Sequence, residues 1–366
     1  MSQQGYHAFR KRFLPVAFAA VLMPDPLLAG AVRSNAIEVA SPLTADDGTE
    51  AVNISGVSCL PLVDGKYVCL AIDDEGRRAQ TLTIEGSRLT PGGKIPIFGK
   101  AAPPGIVGSK PQTDACSKGE DKFKDLDGEA VANDGKAFYI VGSHGCSRHG
   151  NKFRASSFVL ARVAREVVVA ASTADPGVVN DGTEVATTYR LSEALLVAPR
   201  AKNFFSKDLM TANGLNIEGL VIVDGTLYAG LRAPIVDDQV YLVAIKAETL
   251  FDPKRPIVEG DVKEIPLALG RDKGIRDLAL LPDGRILILS GPAQDAAVAF
   301  ALYVVDPKAG WKPGQVAVLD DFPPVGSDTK AEALHVFGQS GKTLDLLIMF
   351  DGPKSGGPRR YSVDLE

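Results

Sequence analysis

Five times along the chain an apolar stretch runs into an Asp-Gly or Ser-Gly pair and then into a second apolar stretch. The copies are VSCLPLVDGKYVCLAI from Val57, EAVANDGKAFYIVGS from Glu129, LVIVDGTLYAGL from Leu220, LALLPDGRILILS from Leu278 and LHVFGQSGKTLDLLIMF from Leu334. Asp-Gly supplies the positive φ angles of a tight hairpin turn, and Ser-Gly carries the Gly of a slightly longer one. Each copy therefore reads as an antiparallel hairpin. One β unit repeated along a chain of this length predicts an all-β fold, a single β-propeller whose blades hide one another's faces.

Further strand material follows the hairpins and completes four-stranded blades. RAQTLTI and GGKIPIF follow the first, QVYLVAIK and VKEIPLAL the third, FALYVVD and QVAVLDD the fourth. The fifth is followed only by RRYSVDLE, so AIEVAS from Ala36 is expected to supply its missing outer strand and close the ring through the two termini. Between the second and third hairpins, LSEALLVAPRAKNFFSKDLM spaces its apolar residues as a helix does, which predicts a helical insertion near 191–210. Five blades account for nearly every strand-like segment; a sixth, poorly marked blade in that interval is the alternative.

The N-terminus changes the picture of where the protein works. Arg10-Lys11-Arg12 precedes the apolar run FLPVAFAAVLM, and Ala29-Gly30-Ala31 offers small residues at a cleavage point. That order is an export signal, so residues 1–31 are expected to be removed and 32–366 to form the propeller domain, in the periplasm or outside the cell. No integral membrane segment remains after cleavage. Formal net charge is −5 over 366 residues, and loss of the basic leader makes the mature chain more acidic, which argues against nucleic acid as a partner.

Four cysteines suit an oxidising compartment. Cys59 and Cys69 lie on opposite arms of the first hairpin, nearly equidistant from its turn, and are expected to pair; Cys116 and Cys146 then form the second bridge. A metal site built from His144, Cys146 and His149 is the alternative for SHGCSRHG, although it would orphan Cys116.

Two sets of positions carry candidate chemistry. Just before each hairpin stands a short recurring sequence that aligns Ser55, Asp127, Glu218, Arg276 and Glu332, polar groups that should gather at one mouth of the central channel. Crowded carboxylates repel unless a cation or proton intervenes, so Asp127, Glu218 and Glu332 are candidate ligands of a hard cation such as calcium, with Arg276 facing a polar ligand. Equally, each acid could cap its own blade by accepting backbone N–H bonds, with Arg276 balancing the charge. The second set ends the hairpins and varies from blade to blade, as a ligand site does. There Asp74 and Asp351 are candidate ligand-binding residues, His144 a candidate acid or base, and Arg232 a fork for a carboxylate or phosphate. Ordinary loop solvation is the competing reading of these residues. His335 lies inside a strand and reads as packed.

Neither a G-x-S-x-G elbow nor an H-E-x-x-H, P-loop or G-x-G-x-x-G motif is present. DLDGEAVANDGKAFYIVGSHG, NIEGLVIVDGTLYAGLRAP and the terminal AEALHVF with MFDGP resemble a bacterial family of unknown function, itself similar to the esterase-like phytase propellers. The likeness runs from about Asn53 to the C-terminus. What the more distant relatives imply is calcium-dependent phosphoester hydrolysis. Two functions are therefore carried forward. One is an exported propeller that binds a small polar or anionic ligand, or a protein partner, with a structural cation in its channel. The other is a metal-dependent phosphoester hydrolase with calcium on Asp127, Glu218 and Glu332, and His144 and Arg232 steadying the phosphate.

Overall fold

The structure is a computed structural model that describes residues 32–112, 116–117, 123–148, 150–180, 184–319 and 329–365. The expected leader and cleavage point lie outside the described residues, as does His149 of the alternative metal site.

After a first strand, β1 (Val32–Ala36), come β2 (Glu38–Val39), β3 (Ile54–Pro61), β4 (Lys66–Asp73), β5 (Arg78–Glu85) and β6 (Arg88–Pro96). The second blade is β7 (Gly128–Asn133), β8 (Ala137–Gly142), β9 (Leu160–Ala164) and β10 (Ala186–Thr188). The third is β11 (Asn216–Val223), β12 (Thr226–Ala233), β13 (Val240–Lys246) and β14 (Lys263–Leu267). The fourth is β15 (Lys273–Leu280), β16 (Ile286–Pro292), β17 (Ala301–Val305) and β18 (Gly314–Val318), and the fifth opens with β19 (Lys330–Ser340), β20 (Thr343–Asp351) and β21 (Arg359–Asp364). Strand order makes four sheets of four strands and one of five. The five inner strands touch in a closed circle, β3 on β7, β7 on β11, β11 on β15, β15 on β19 and β19 on β3. This is a five-bladed propeller; the segment held open for a sixth blade contains the helix Arg190–Val197 and a second short helix Leu209–Ala212.

The termini do close the ring, but through different residues from those expected. β1, with the sequence VRSNA, pairs antiparallel with β21 from Val32↔Val363 to Ala36↔Arg359. Most of AIEVAS instead crosses to the next blade, where β2 adds in parallel to β6. AIEVAS carries the apolar alternation of a half-buried strand, whereas β1 is an outermost strand with Val32 exposed.

At the hub the inner strands bury Val57, Val131, Leu220, Leu278 and Leu334. Approach is so close that a Cβ on Gly56 would stand 2.7 Å from the Cα of Ala130. Both bridges are formed, Cys59–Cys69 directly opposite across β3 and β4, and Cys116–Cys146. Cys146 is therefore not a thiolate, which removes the metal alternative for SHGCSRHG.

Candidate functional site

Every inner strand carries an extra residue close to its start. The ladder skips Ser55 between Ile54 and Gly56, Glu129 between Gly128 and Ala130, Glu218 between Ile217 and Gly219, Arg276 between Ile275 and Asp277, and Glu332 between Ala331 and Ala333. A β-bulge of this kind re-aims one side chain. Four of these positions are the ones aligned from sequence. In the second blade the bulge falls on Glu129, two residues beyond Asp127, which corrects the alignment. Glu129-Ala130 mirrors Glu332-Ala333, and that likeness was the better guide than matching Gly128 to Gly56.

The re-aimed groups meet as ion pairs. Arg276, 1% exposed, stands between two carboxylates: its Nε is 2.8 Å from Glu218 Oε2, and its Nη2 bonds Glu332 Oε1. The first contact is close but poorly aligned as a hydrogen bond, so it acts chiefly through charge. The third donor, Nη1, reaches Pro292 O at 3.4 Å. Glu218 Oε1 also accepts from Arg232 Nη1 at 2.7 Å, while Arg232 Nε donates to Ala293 O at 2.7 Å. Arg232 is itself the extra residue on β12, between Leu231 and Ala233. Ser55 Oγ donates to Glu332 Oε2 at 3.1 Å. Burial works against the Arg276 charge, yet the combined pull of Glu218, Glu332 and Glu129 carries its pKa above the ordinary value. For Glu332, burial raises the pKa and Arg276 holds it back. Glu129 is pushed well up, first by burial and then by Glu218, Asp127 and Glu332, and its charge in turn raises the pKa of Arg148.

Outside this ring, between the first two blades, the channel mouth opens into a cleft of about 400 Å³. It is lined by eight carboxylates, among them Asp73, Asp74 and Asp127, against Lys124, Arg148 and Arg154. Some of the acids are already paired: Asp46 with Arg78 at 3.3 Å, Asp125 with Arg154 at 2.9 Å and Glu50 with Lys354 at 3.3 Å. Asp73 and Asp74 have no such partner. Asp73 Oδ1 accepts from Glu75 N at 3.0 Å, but Asp73 Oδ2 and Asp74 Oδ1 are buried with no hydrogen-bond partner. Burial lifts the Asp73 pKa to about 6; burial, then the neighbouring Asp127, Asp73, Glu332 and Asp351, lift that of Asp74 to about 9. Asp127 is raised by burial and bonded by the Ser143 hydroxyl.

The remaining candidates separate. His144 is fully buried at φ 52°, its Nδ1 donating to Gly142 O at 3.0 Å and its ring edge-on to Phe158. Because a carbonyl only accepts, Nδ1 holds the proton and Nε2 is left as a buried acceptor without a partner. Burial depresses its pKa to about 4, so it is a neutral packed ring. Asp351 is engaged by Lys330 Nζ at 2.6 Å. Thus Asp127 and Asp74 share the cleft, Glu218, Glu332, Arg276 and Arg232 share the ion-pair ring, and His144 belongs to neither. Among the described residues no group of three or more His, Cys, Asp or Glu side chains is gathered as a metal ion requires. Sequence reading missed Glu129 and Asp73 as site residues; Asp277 also escaped it. Asp277 is fully buried and accepts from Leu278 N at 2.7 Å and from Leu334 N of the next blade at 2.6 Å, which staples two blades together.

Solved structures that are similar over most of the chain include a GH43 β-1,3-galactosidase, 11% identical over 90% of this chain and 60% of that one, TM-score 0.44. A glycosyl hydrolase from Bacteroides ovatus is 14% identical over 93% of this chain and 96% of that one, TM-score 0.40. The extracellular domain of a hybrid two-component system from B. thetaiotaomicron is 11% identical over 87% of this chain and 28% of that one, TM-score 0.34. This chain thus spans less than two thirds of the galactosidase and of the two-component-system protein. No curated protein matches the chain in sequence. Residues 183–362, from the outer part of the second blade through the fifth, match the model of a family described as Protein of unknown function (DUF3616).

Proposed function

We propose that the protein is an exported β-propeller that binds a small polar ligand at the mouth of its central channel, in the cleft between the first and second blades. One observation carries the reading: Asp73 Oδ2 and Asp74 Oδ1 are buried at the cleft with no hydrogen-bond partner. An unsatisfied buried acceptor costs about 1–3 kcal/mol, a penalty that the donors of a ligand would offset. Two formed disulfides support export, as does the leader reading, and no described helix is long and apolar enough to cross a membrane.

The test is calorimetric titration of the parent and of Asp74→Asn with neutral polyols, amino acids, organic cations and organic anions. Binding by one class that Asp74→Asn weakens supports the reading; no binding by any class refutes it. The alternative, a calcium-dependent phosphoester hydrolase, would require Glu218 and Glu332 to release Arg276. A calcium arm, read as a shift in melting temperature together with chelator-sensitive phosphatase activity, tests it.

A further inference from the structure

We propose that the ligand of this cleft is an organic cation with several N–H donors, an ammonium or guanidinium compound, held by Asp73 and Asp74. The inference rests on the cleft being a ligand site and names what that site takes.

Charge is the first ground. Carboxylates outnumber basic groups eight to three around the cleft. Internal pairing uses Asp46, Asp125 and Glu50. Among the described residues no basic group stands within ion-pairing distance of Asp73, Asp74 or Asp127. An anionic ligand would have to enter a cleft lined by this excess of carboxylates, and a neutral one would leave the charge of the ionised ones unanswered. The second ground is the pair of orphaned acceptors. Asp73 and Asp74 both line the cleft; Asp73 is 9% exposed, and its buried Oδ2, like Asp74 Oδ1, has nothing to accept from. Asp73 accepts at both oxygens when ionised, and Asp74 does so once a bound cation draws off its proton, so the missing partners are donors.

Geometry then separates an organic cation from a metal ion. A hard cation gathers about 6–8 oxygens around one point at roughly 2.3–2.6 Å. Among the described residues no cluster of three or more candidate donors is so gathered. Carboxylates spread around a cavity of about 400 Å³ suit a molecule that spreads its donors, each bond at about 2.7–2.9 Å. The volume lies at the lower end of the range of small-molecule sites, roughly 300–1,000 Å³.

A neighbouring property supplies a distinctive signature. Asp74, raised to about 9 by burial and by Asp127, Asp73, Glu332 and Asp351, keeps its proton at pH 7.5 while the cleft is empty. Arg148 and Arg154 also line the cleft, but neither forms an ion pair with Asp74, and Arg154 is taken by Asp125. A bound cation favours the ionised form, so binding should release up to one proton, whereas a neutral ligand releases none.

The experiment uses agmatine and putrescine as probes, with glucose, succinate and calcium chloride as controls, on the full mature chain at pH 7.5. Calorimetry in two buffers of different ionisation enthalpy reads affinity and proton release together. Expected are binding of agmatine or putrescine, proton release, and at least about a tenfold loss of affinity in both Asp74→Asn and Asp73→Asn, the size of one charged hydrogen bond. Two variants guard against one that misfolds, and their melting curves report folding. If glucose or succinate binds in an Asp74-dependent way and the amines do not, the cleft is a ligand site and the cation inference falls. Calcium that binds there and displaces the amines also overturns it. If none of the five binds, the inference and the reading beneath it fall together.

Discussion

Replacing Arg276 by Met keeps most of the side-chain volume and deletes the charge at the hub. Two carboxylates lose a partner, but unequally. Glu218 retains Arg232 at 2.7 Å, whereas Glu332 is left with the Ser55 hydroxyl at 3.1 Å. Removing one member of a buried ion pair costs about 3–5 kcal/mol, because the charge left behind is neither solvated nor matched. Burial already raises the Glu332 pKa and Arg276 restrains it, so the variant should raise it further. A carboxyl whose folded pKa lies above its unfolded value contributes stability that is complete below the unfolded value and is lost as pH rises through the folded one. The deficit of Arg276→Met should therefore be smallest near pH 5 and grow toward pH 8. Urea denaturation at pH 5, 6.5 and 8 measures it. Adding Glu332→Gln should restore at least about half of the loss at pH 8, because two neighbours in one network do not add. A deficit under about 1 kcal/mol that is flat with pH, or no recovery in the double variant, would refute the ion-pair reading of the ring.

Acid should weaken the fold through His144, whose pKa is depressed to about 4 from an unfolded value near 6.5. Its contribution is complete above the unfolded value and is lost as pH falls toward 4, at most about 3 kcal/mol, and His144→Asn, which tolerates the left-handed backbone there, should flatten the urea-midpoint profile between pH 7 and 4.5. Breaking the Cys116–Cys146 bridge, which spans 30 residues, by a double change to Ala should cost roughly 3–4 kcal/mol on chain-entropy grounds. Hydrogen exchange should rise around His144 more than in β11 or β15; equal loosening throughout would show that the bridge holds the ring itself. Mass spectrometry of exported native protein should find Val32 at the N-terminus, and a retained Met1-to-Ala31 segment would overturn the leader reading.

Much of the fold was legible because its signals are local. An Asp-Gly turn between apolar stretches needs nothing from elsewhere in the chain, and Asp224-Gly225 does adopt the paired positive φ angles, 48° and 70°, that such a turn demands. The cross-strand cysteines were readable for the same reason, since distance from the turn sets register. Closure was only half legible: the edge position makes β1 pair by backbone alone, so VRSNA carries no apolar alternation to announce it. The bulge in the second blade was misplaced because a bulge adds a residue without altering the apolar pattern around it. His144 looked available because it sits beyond a strand end. Only the folded chain shows Phe158 packed against the ring and Gly142 O accepting a hydrogen bond from Nδ1.

The cross-blade pairing of Arg276 with Glu218 and Glu332 could not be read at all from one strand, since it joins three blades that meet only when the circle closes. That pairing also decides what the two rings of polar positions are for. A carboxylate whose oxygens are held by buried guanidinium groups gains little by turning to a ligand, because the arginine left behind would then be the unmatched charge. Glu218, Glu332 and Arg276 are consequently poor places for exchangeable chemistry and good ones for fixing the order of blades three to five. Asp73 and Asp74 are in the opposite state, buried enough to be raised in pKa yet each with one oxygen that no donor reaches. A fold tolerates such a deficit where something else completes it, and the deficit lies between blades one and two, on the side of the ring that Arg276 does not reach.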